Sequence, residues 1–107
     1  MDNYMQRGGL TWGTNLFVNT TSPCAEIQVF PDKIVFKVNF LRICKKEIVL
    51  NKNEIIKIEP TSCFIKGFRF CHTSMKADEV LIFWSFSLGK LMDNLIVMGY
   101  EKVIQPK

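Results

Sequence analysis

One histidine, four cysteines and a basic stretch between positions 33 and 46 are the groups with which this 107-residue chain could do chemistry. His72 stands three positions after Arg69. On a strand, residues three apart point to opposite faces, so the two are not expected to share a site. His72 is expected instead to be a hydrogen-bonded side chain that steadies a connection between strands. No carboxylate or nucleophile lies at a spacing that would complete a triad with it. The cysteines Cys24, Cys44, Cys63 and Cys71 form no C-x-x-C pair. Structural zinc sites use such close ligand pairs, so no metal and no cofactor is expected. The thiols are expected to be reduced and partly buried. Gly8, Gly9 and Gly13 belong to neither phosphate-binding pattern, G-x-x-x-x-G-K-S/T or G-x-G-x-x-G before a helix. The chain is not expected to be an enzyme.

Lys33, Lys37, Arg42, Lys45 and Lys46 are the densest group of cations. They could form a surface for acidic lipid head groups or an acidic partner, each charge contributing about 1 kcal/mol near an anionic membrane. A solvated link with Glu47 beside it is the plainer reading and the favoured one. Net charge is only +4, from 14 Lys plus Arg against 10 Asp plus Glu, which permits contact with anions without requiring it. Aromatic rings on a sheet can stack on bases, and Trp12, Trp84 and Phe86 are the rings to weigh. Trp84 is expected in the core beneath a helix. Trp12, in a terminal strand beside Gly13, stays a candidate for a partner surface.

These groups must be carried by a small β-rich domain. Hydrophobic residues make up 48% of the chain, which argues against disorder, and the length suits one domain. Residues 1–10 are expected as a flexible tail, 11–101 as the domain and 102–107 as a second tail. The longest apolar run, Val80 to Trp84, is far too short for a membrane-spanning helix. Met1 to Gly9 lacks the apolar centre of a secretion signal, so a cytoplasmic location is expected. Seven strands are read from alternation and turn residues: Thr11 to Asn19, Ala25 to Phe30, Lys33 to Phe40, Lys45 to Leu50, Glu54 to Glu59, Cys63 to His72 and Glu79 to Phe86. Pro60 is expected to end the fifth.

The period then changes. Leu88, Leu91, Met92 and Leu95 recur at three and four residues, the stripe of an amphipathic helix. Ser87 suits the N-cap. Gly99 suits the left-handed residue that ends a helix, with Tyr100 packing back. So short a helix would be marginal alone in water, so the stripe is expected to be a lid on the β-structure.

Several of these segments resemble the pleckstrin-homology-like (PH-like) superfamily, in its bacterial-type and GRAM-like members. Gly67-Phe68-Arg69-Phe70-Cys71-His72-Thr73 looks like their G-hydrophobic-R-hydrophobic-x-H strand. Val80-Leu81-Ile82-Phe83-Trp84-Ser85-Phe86 resembles the hydrophobic-x-FW strand that leads into the helix. Leu91, Leu95 and Gly99-Tyr100 resemble the L-x-x-x-L-x-x-x-G-F/Y ending. The resemblance implies a seven-stranded antiparallel orthogonal sandwich or open barrel, capped by one C-terminal helix. It implies a non-enzymatic interaction module that makes protein-protein contacts or assembles with itself through open edge strands. The alternative it allows is peripheral binding to anionic lipids at the inner face of the membrane, through the basic residues between the third and fourth strands. A small nucleic-acid-binding barrel is a further, disfavoured alternative. Phosphoinositide-binding members carry K-x(n)-K/R-x-R around their first loop. Here Asn19 to Pro23 and its flanking strands, Leu10 to Val18 and Cys24 to Phe30, contain no basic residue, which speaks against inositol-phosphate recognition.

Overall fold

Strands form where large apolar side chains alternate with polar ones, because an extended chain turns successive side chains to opposite faces. The computed structural model of the protein describes residues 3–13, 17–19, 25–40, 44–61, 67–73, 80–85 and 87–104. They hold β1 (Tyr4–Gly13), β2 (Phe17–Asn19), β3 (Ala25–Val29), β4 (Lys33–Phe40), β5 (Cys44–Asn51), β6 (Ile55–Thr61), β7 (Gly67–His72), β8 (Val80–Trp84) and one helix, α1 (Leu88–Val97). Seven strands run in one antiparallel hydrogen-bonded path, in the order β5-β4-β3-β1-β8-β7-β6. The short β2 pairs with the end of β1, off that path. The protein is thus mainly β, a curled half-barrel sheet with one C-terminal helix. Phe36 of β4 and Phe70 of β7 have three strands between them on that path, yet their ring centroids are 5.0 Å apart at 73°. Only a curled sheet brings them together, and such an edge-to-face pair contributes about 1 kcal/mol.

The curl turns on β1. Its residues Tyr4 to Gly8 pair with β3, and Gly9 to Gly13 pair with β8. Gly8 and Gly9 sit at the changeover. A Cβ on Gly8 would lie 2.2 Å from the carbonyl oxygen of Trp84, and one on Gly9 would lie 2.1 Å from the Trp84 ring. The close approach demands glycine at position 8, and at position 9 a side chain enters only if the Trp84 ring moves. Residues 4–10 are therefore strand and not the expected tail, and Leu10 is fully buried. The first expected strand, Thr11 to Asn19, is divided between β1 and β2. Pro60 does not end its strand. It lies in β6 opposite Phe68, on an end strand of the path, the kind of strand that tolerates proline.

Helix α1 begins and ends where the sequence places it. Ser87 is the N-cap residue, but its hydroxyl makes no capping bond. Its amide donates instead to Ser85 Oγ at 3.1 Å, and its carbonyl accepts from Gln6 Nε2 at 3.0 Å. The Ser85 hydroxyl donates to Gln6 Oε1. The start of the helix is thus tied to β1. At the other end Gly99 has φ +94°. The Gly99 amide donates to Ile96 O at 3.1 Å and the Tyr100 amide to Leu95 O at 2.9 Å. These two bonds are the Schellman pair that satisfies the last carbonyls of a helix. Leu91 and Leu95 are fully buried, and Leu88 and Met92 are half-buried against the same core. Beyond the helix, Glu101–Val103 form one 3-10 turn and Ile104 bridges Ile58 in parallel. Part of the expected tail therefore lies against β6.

Tyr100 locks this end. It is buried, its hydroxyl donates to Phe30 O at 2.7 Å, and Lys52 Nζ lies 5.2 Å from its ring centroid. Burial, with the Asp32 carboxylate as a lesser cause, pushes the phenol well above its usual pKa. The folded state therefore favours the neutral phenol, and its contribution is fully present below the unfolded pKa of about 10. As pH rises beyond that value, stability falls by up to about 1.4 kcal/mol per unit. Urea unfolding of the parent is expected to show this alkaline slope. Tyr100→Phe is expected to remove it, while costing about 1 kcal/mol at neutral pH through the lost hydrogen bond. Equal slopes in the two proteins would refute the role given to Tyr100.

Candidate interaction surface

On the outer face of the β1-β3-β4-β5 half, alternation sets out two rows that cross all four strands, eight side chains in all. Register sorts them into two rows. Arg7, Glu26, Lys37 and Glu47 lie opposite one another across the four strands. The charges run positive, negative, positive, negative. Arg7 Nε is 3.9 Å from Glu26 Oε1, and Lys37 Nζ is 3.9 Å from Glu47 Oε2. Glu26 is half-buried and the other three are exposed, so each pair is of small individual worth. The second row is Met5, Gln28, Val35 and Val49. Met5 is 56% exposed and Val49 43%. Val35 is 5% exposed, yet it stands outside the inner core cluster, so its neighbours on this face shield it. Gln28 joins the rows, donating from Nε2 to Glu26 Oε2 at 2.6 Å and lying 3.6 Å from Met5 Sδ.

Beside this face β5 ends the sheet. Among the described residues it has a strand partner on one side only, β4. At the opposite end of the path β6 is bridged by Ile104.

The expected basic surface looks different in this setting. Lys37 is exposed but lies between two carboxylates, those of Glu26 and Glu47, in its own row. Lys33 is half-buried at the start of β4, with Nζ 5.3 Å from the Phe30 ring centroid. Four positions separate the two lysines, about 13 Å along a strand, so they do not form one cationic cluster. The backbones of Lys45 and Lys46 lie opposite Asn39 and Val38. Arg42 lies outside the described residues. Lys37 is thus set among carboxylates, and Lys33 stands apart from it against an aromatic ring.

The tryptophans exchange their expected places. Trp12 is 5% exposed and part of the core cluster, which removes it from any partner surface. Trp84 is half-buried and not in the core, its ring lying on Gly9 at the outside of the sheet. Phe86 lies outside the described residues. Pairing explains the exchange: Gly9 is opposite Trp84 in register and leaves room for a ring that Leu or Thr would fill.

Arg69 is exposed and paired in register with Glu59 and Ile82, whereas His72 is half-buried opposite Ile55. The strand puts them on opposite faces. The Cys71 thiol is half-buried, 3.9 Å from Glu59 Oε1. Cys24 and Cys63 lie outside the described residues. Among the described residues no three His, Cys, Asp or Glu side chains come together as a metal site, and no helix is long and apolar enough to cross a membrane.

Met5, Glu26 and Val49 were not singled out in the sequence. Met5 was hidden because its strand reads as a tail. The alternation of Glu47 and Val49 in β5 was legible, but their row-mates come from distant segments. Comparison with protein-family models, with curated proteins and with solved structures finds no match.

Proposed function

We propose that this chain is a non-enzymatic interaction module of PH-like architecture, working through protein-protein contacts of its β1-β3-β4-β5 half. The observation that carries the proposal is that β5 has, among the described residues, a strand partner on one side only, beside a face that exposes Met5 and Val49. An unpaired edge offers backbone donors and acceptors to an extended segment, and exposed apolar side chains next to it give that segment something to bury. Three features support the PH-like plan: seven strands in one path, a first strand shared by both halves, and a C-terminal helix as lid. The Arg7-Glu26-Lys37-Glu47 row across this face sums to zero. Such a row gives an anionic membrane little to hold.

Extended peptides selected by display against the isotope-labelled chain provide the test. Amide shifts are expected to concentrate on Cys44–Asn51 and on β4 beside it. Anionic vesicles are expected to leave the protein in solution at low salt. Peptide shifts confined to other strands would sink the proposal. So would co-sedimentation with anionic vesicles that disappears at high salt, because the surface would then be a lipid site.

A further inference from the structure

We infer that the outer face of the β1-β3-β4-β5 half docks a second copy of this chain. The inference rests on the proposal that this half makes protein contacts, and it names the partner. The charge row is the reason. Its order across the sheet is Arg7, Glu26, Lys37, Glu47. Lay a second copy face to face about a twofold axis parallel to the strands, passing between β3 and β4. The row is then reversed, so that Arg7 meets Glu47 of the second copy and Glu26 meets its Lys37. All four charges in each copy find an opposite. A twofold axis along the row would instead set each charge on its own copy, Arg7 on Arg7 and Glu26 on Glu26. The pattern therefore selects one of the two ways in which a sheet can pack on itself. Twofold symmetry is the commonest rule of homo-oligomers, and it requires this kind of self-complementary patch.

The neighbouring row obeys the same axis. Met5 meets Val49 of the second copy, and Gln28 meets its Val35. The two exposed apolar ends of the row, Met5 and Val49, are the groups that this arrangement removes from water. Face-to-face sheets pack about 10 Å apart with strands within about 30° of alignment, which keeps the central positions in register.

Size sets the strength. Four strands about 4.8 Å apart and about seven residues long at 3.4 Å each present about 450 Å² per copy. A standard stable interface uses about 800 Å² per partner. The dimer is therefore weak, forming at high micromolar concentration and dissociating on dilution.

Charge swaps test this directly. Sedimentation velocity of the full chain at rising concentration is expected to show monomer giving way to dimer. Arg7→Glu alone and Glu47→Arg alone each create like-charge contacts across the axis, and each is expected to weaken the dimer at least about tenfold. An equimolar mixture of the two variants is expected to restore association, since each supplies what the other lacks. The doubly swapped chain is expected to dimerise with itself, although its own neighbours within the sheet are now like-charged. That last result separates contact between copies from mere stabilisation of the sheet. Melting curves of all four proteins serve as the control for folding. A chain that stays monomeric throughout overturns the inference. So does a dimer indifferent to both swaps, or a mixture no tighter than its components. If the chain is monomeric while selected peptides still shift the β5 amides, only the identity of the partner is wrong. If neither event occurs, the interaction-module proposal falls with it.

Discussion

Leu95→Ala is expected to destabilise the protein by about 3 kcal/mol, and Leu95→Asp by about 5 kcal/mol or more. Leu95 is fully buried within the core, one turn after the equally buried Leu91. Alanine there loses the transfer energy of the removed atoms and leaves a cavity that the closed lid cannot fill. Aspartate adds the cost of an unpaired carboxylate in an apolar site. A domain of this size has a total stability of about 5–15 kcal/mol, so the aspartate variant is expected to be largely unfolded at 37 °C. For alanine, thermal unfolding is expected about 12–24 °C below the parent. Val97 lies in the same helix but is 76% exposed, and Val97→Asp is expected to cost less than about 0.5 kcal/mol. Circular dichroism melts of the three variants check this. If Leu95→Ala and Val97→Asp melt alike, α1 is not a lid.

Gly8→Ala is expected to cost about 3 kcal/mol, the upper end of overpacking penalties. The added carbon would lie 2.2 Å from a backbone oxygen, that of Trp84, and 2.9 Å from the Phe83 ring. Neither β1 nor β8 can retreat without breaking the pairing on either side of the corner. Gly9→Ala is expected to cost less, because its obstacle is the Trp84 side chain, which can rotate outward. Gly89 provides the opposite case. It lies in α1 with no atom within 4 Å of its missing Cβ, so Gly89→Ala is expected to stabilise by about 0.5–1 kcal/mol through helix propensity. Chemical denaturation of the three variants should rank them Gly89→Ala, Gly9→Ala, Gly8→Ala from most to least stable. A neutral Gly8→Ala would mean that the corner is loose.

Local features of the structure were legible in the sequence, and features that depend on a distant partner were not. Leu88, Leu91, Met92 and Leu95 repeat at the helical period between Ser87 and Gly99, so α1 carries its own start, face and stop. Strand β4 could be bounded to the residue because Ile34, Phe36 and Val38 fall on one face and Lys33, Lys37 and Asn39 on the other, between a Pro-Asp turn and the next link. Strand β1 could not. Arg7-Gly8-Gly9 has the composition of a loose tail, and only the approach of Trp84 gives those glycines a structural meaning. The two tryptophans were misplaced for the same reason, since the face on which each ring lies depends on what pairs beside it. The interaction surface was half legible. Lys37 was picked out as a cation, but the carboxylate of Glu26 beside it comes from another strand. Whether charges cluster or alternate is a property of register, and register is set between strands.

The sharing of β1 between the two halves also bears on how the chain reaches this structure. Gly9 pairs with Trp84, near the other end of the chain, while Gly8 pairs with Ala25. One edge of β1 can be satisfied early, by a neighbour close in sequence. The other waits for one of the last strands to be made. Loop closure over that span costs entropy before any contact repays it. The β1-β3-β4-β5 half can therefore zip up as a nascent meander. The corner, the core and the lid are committed together, in one late and cooperative step.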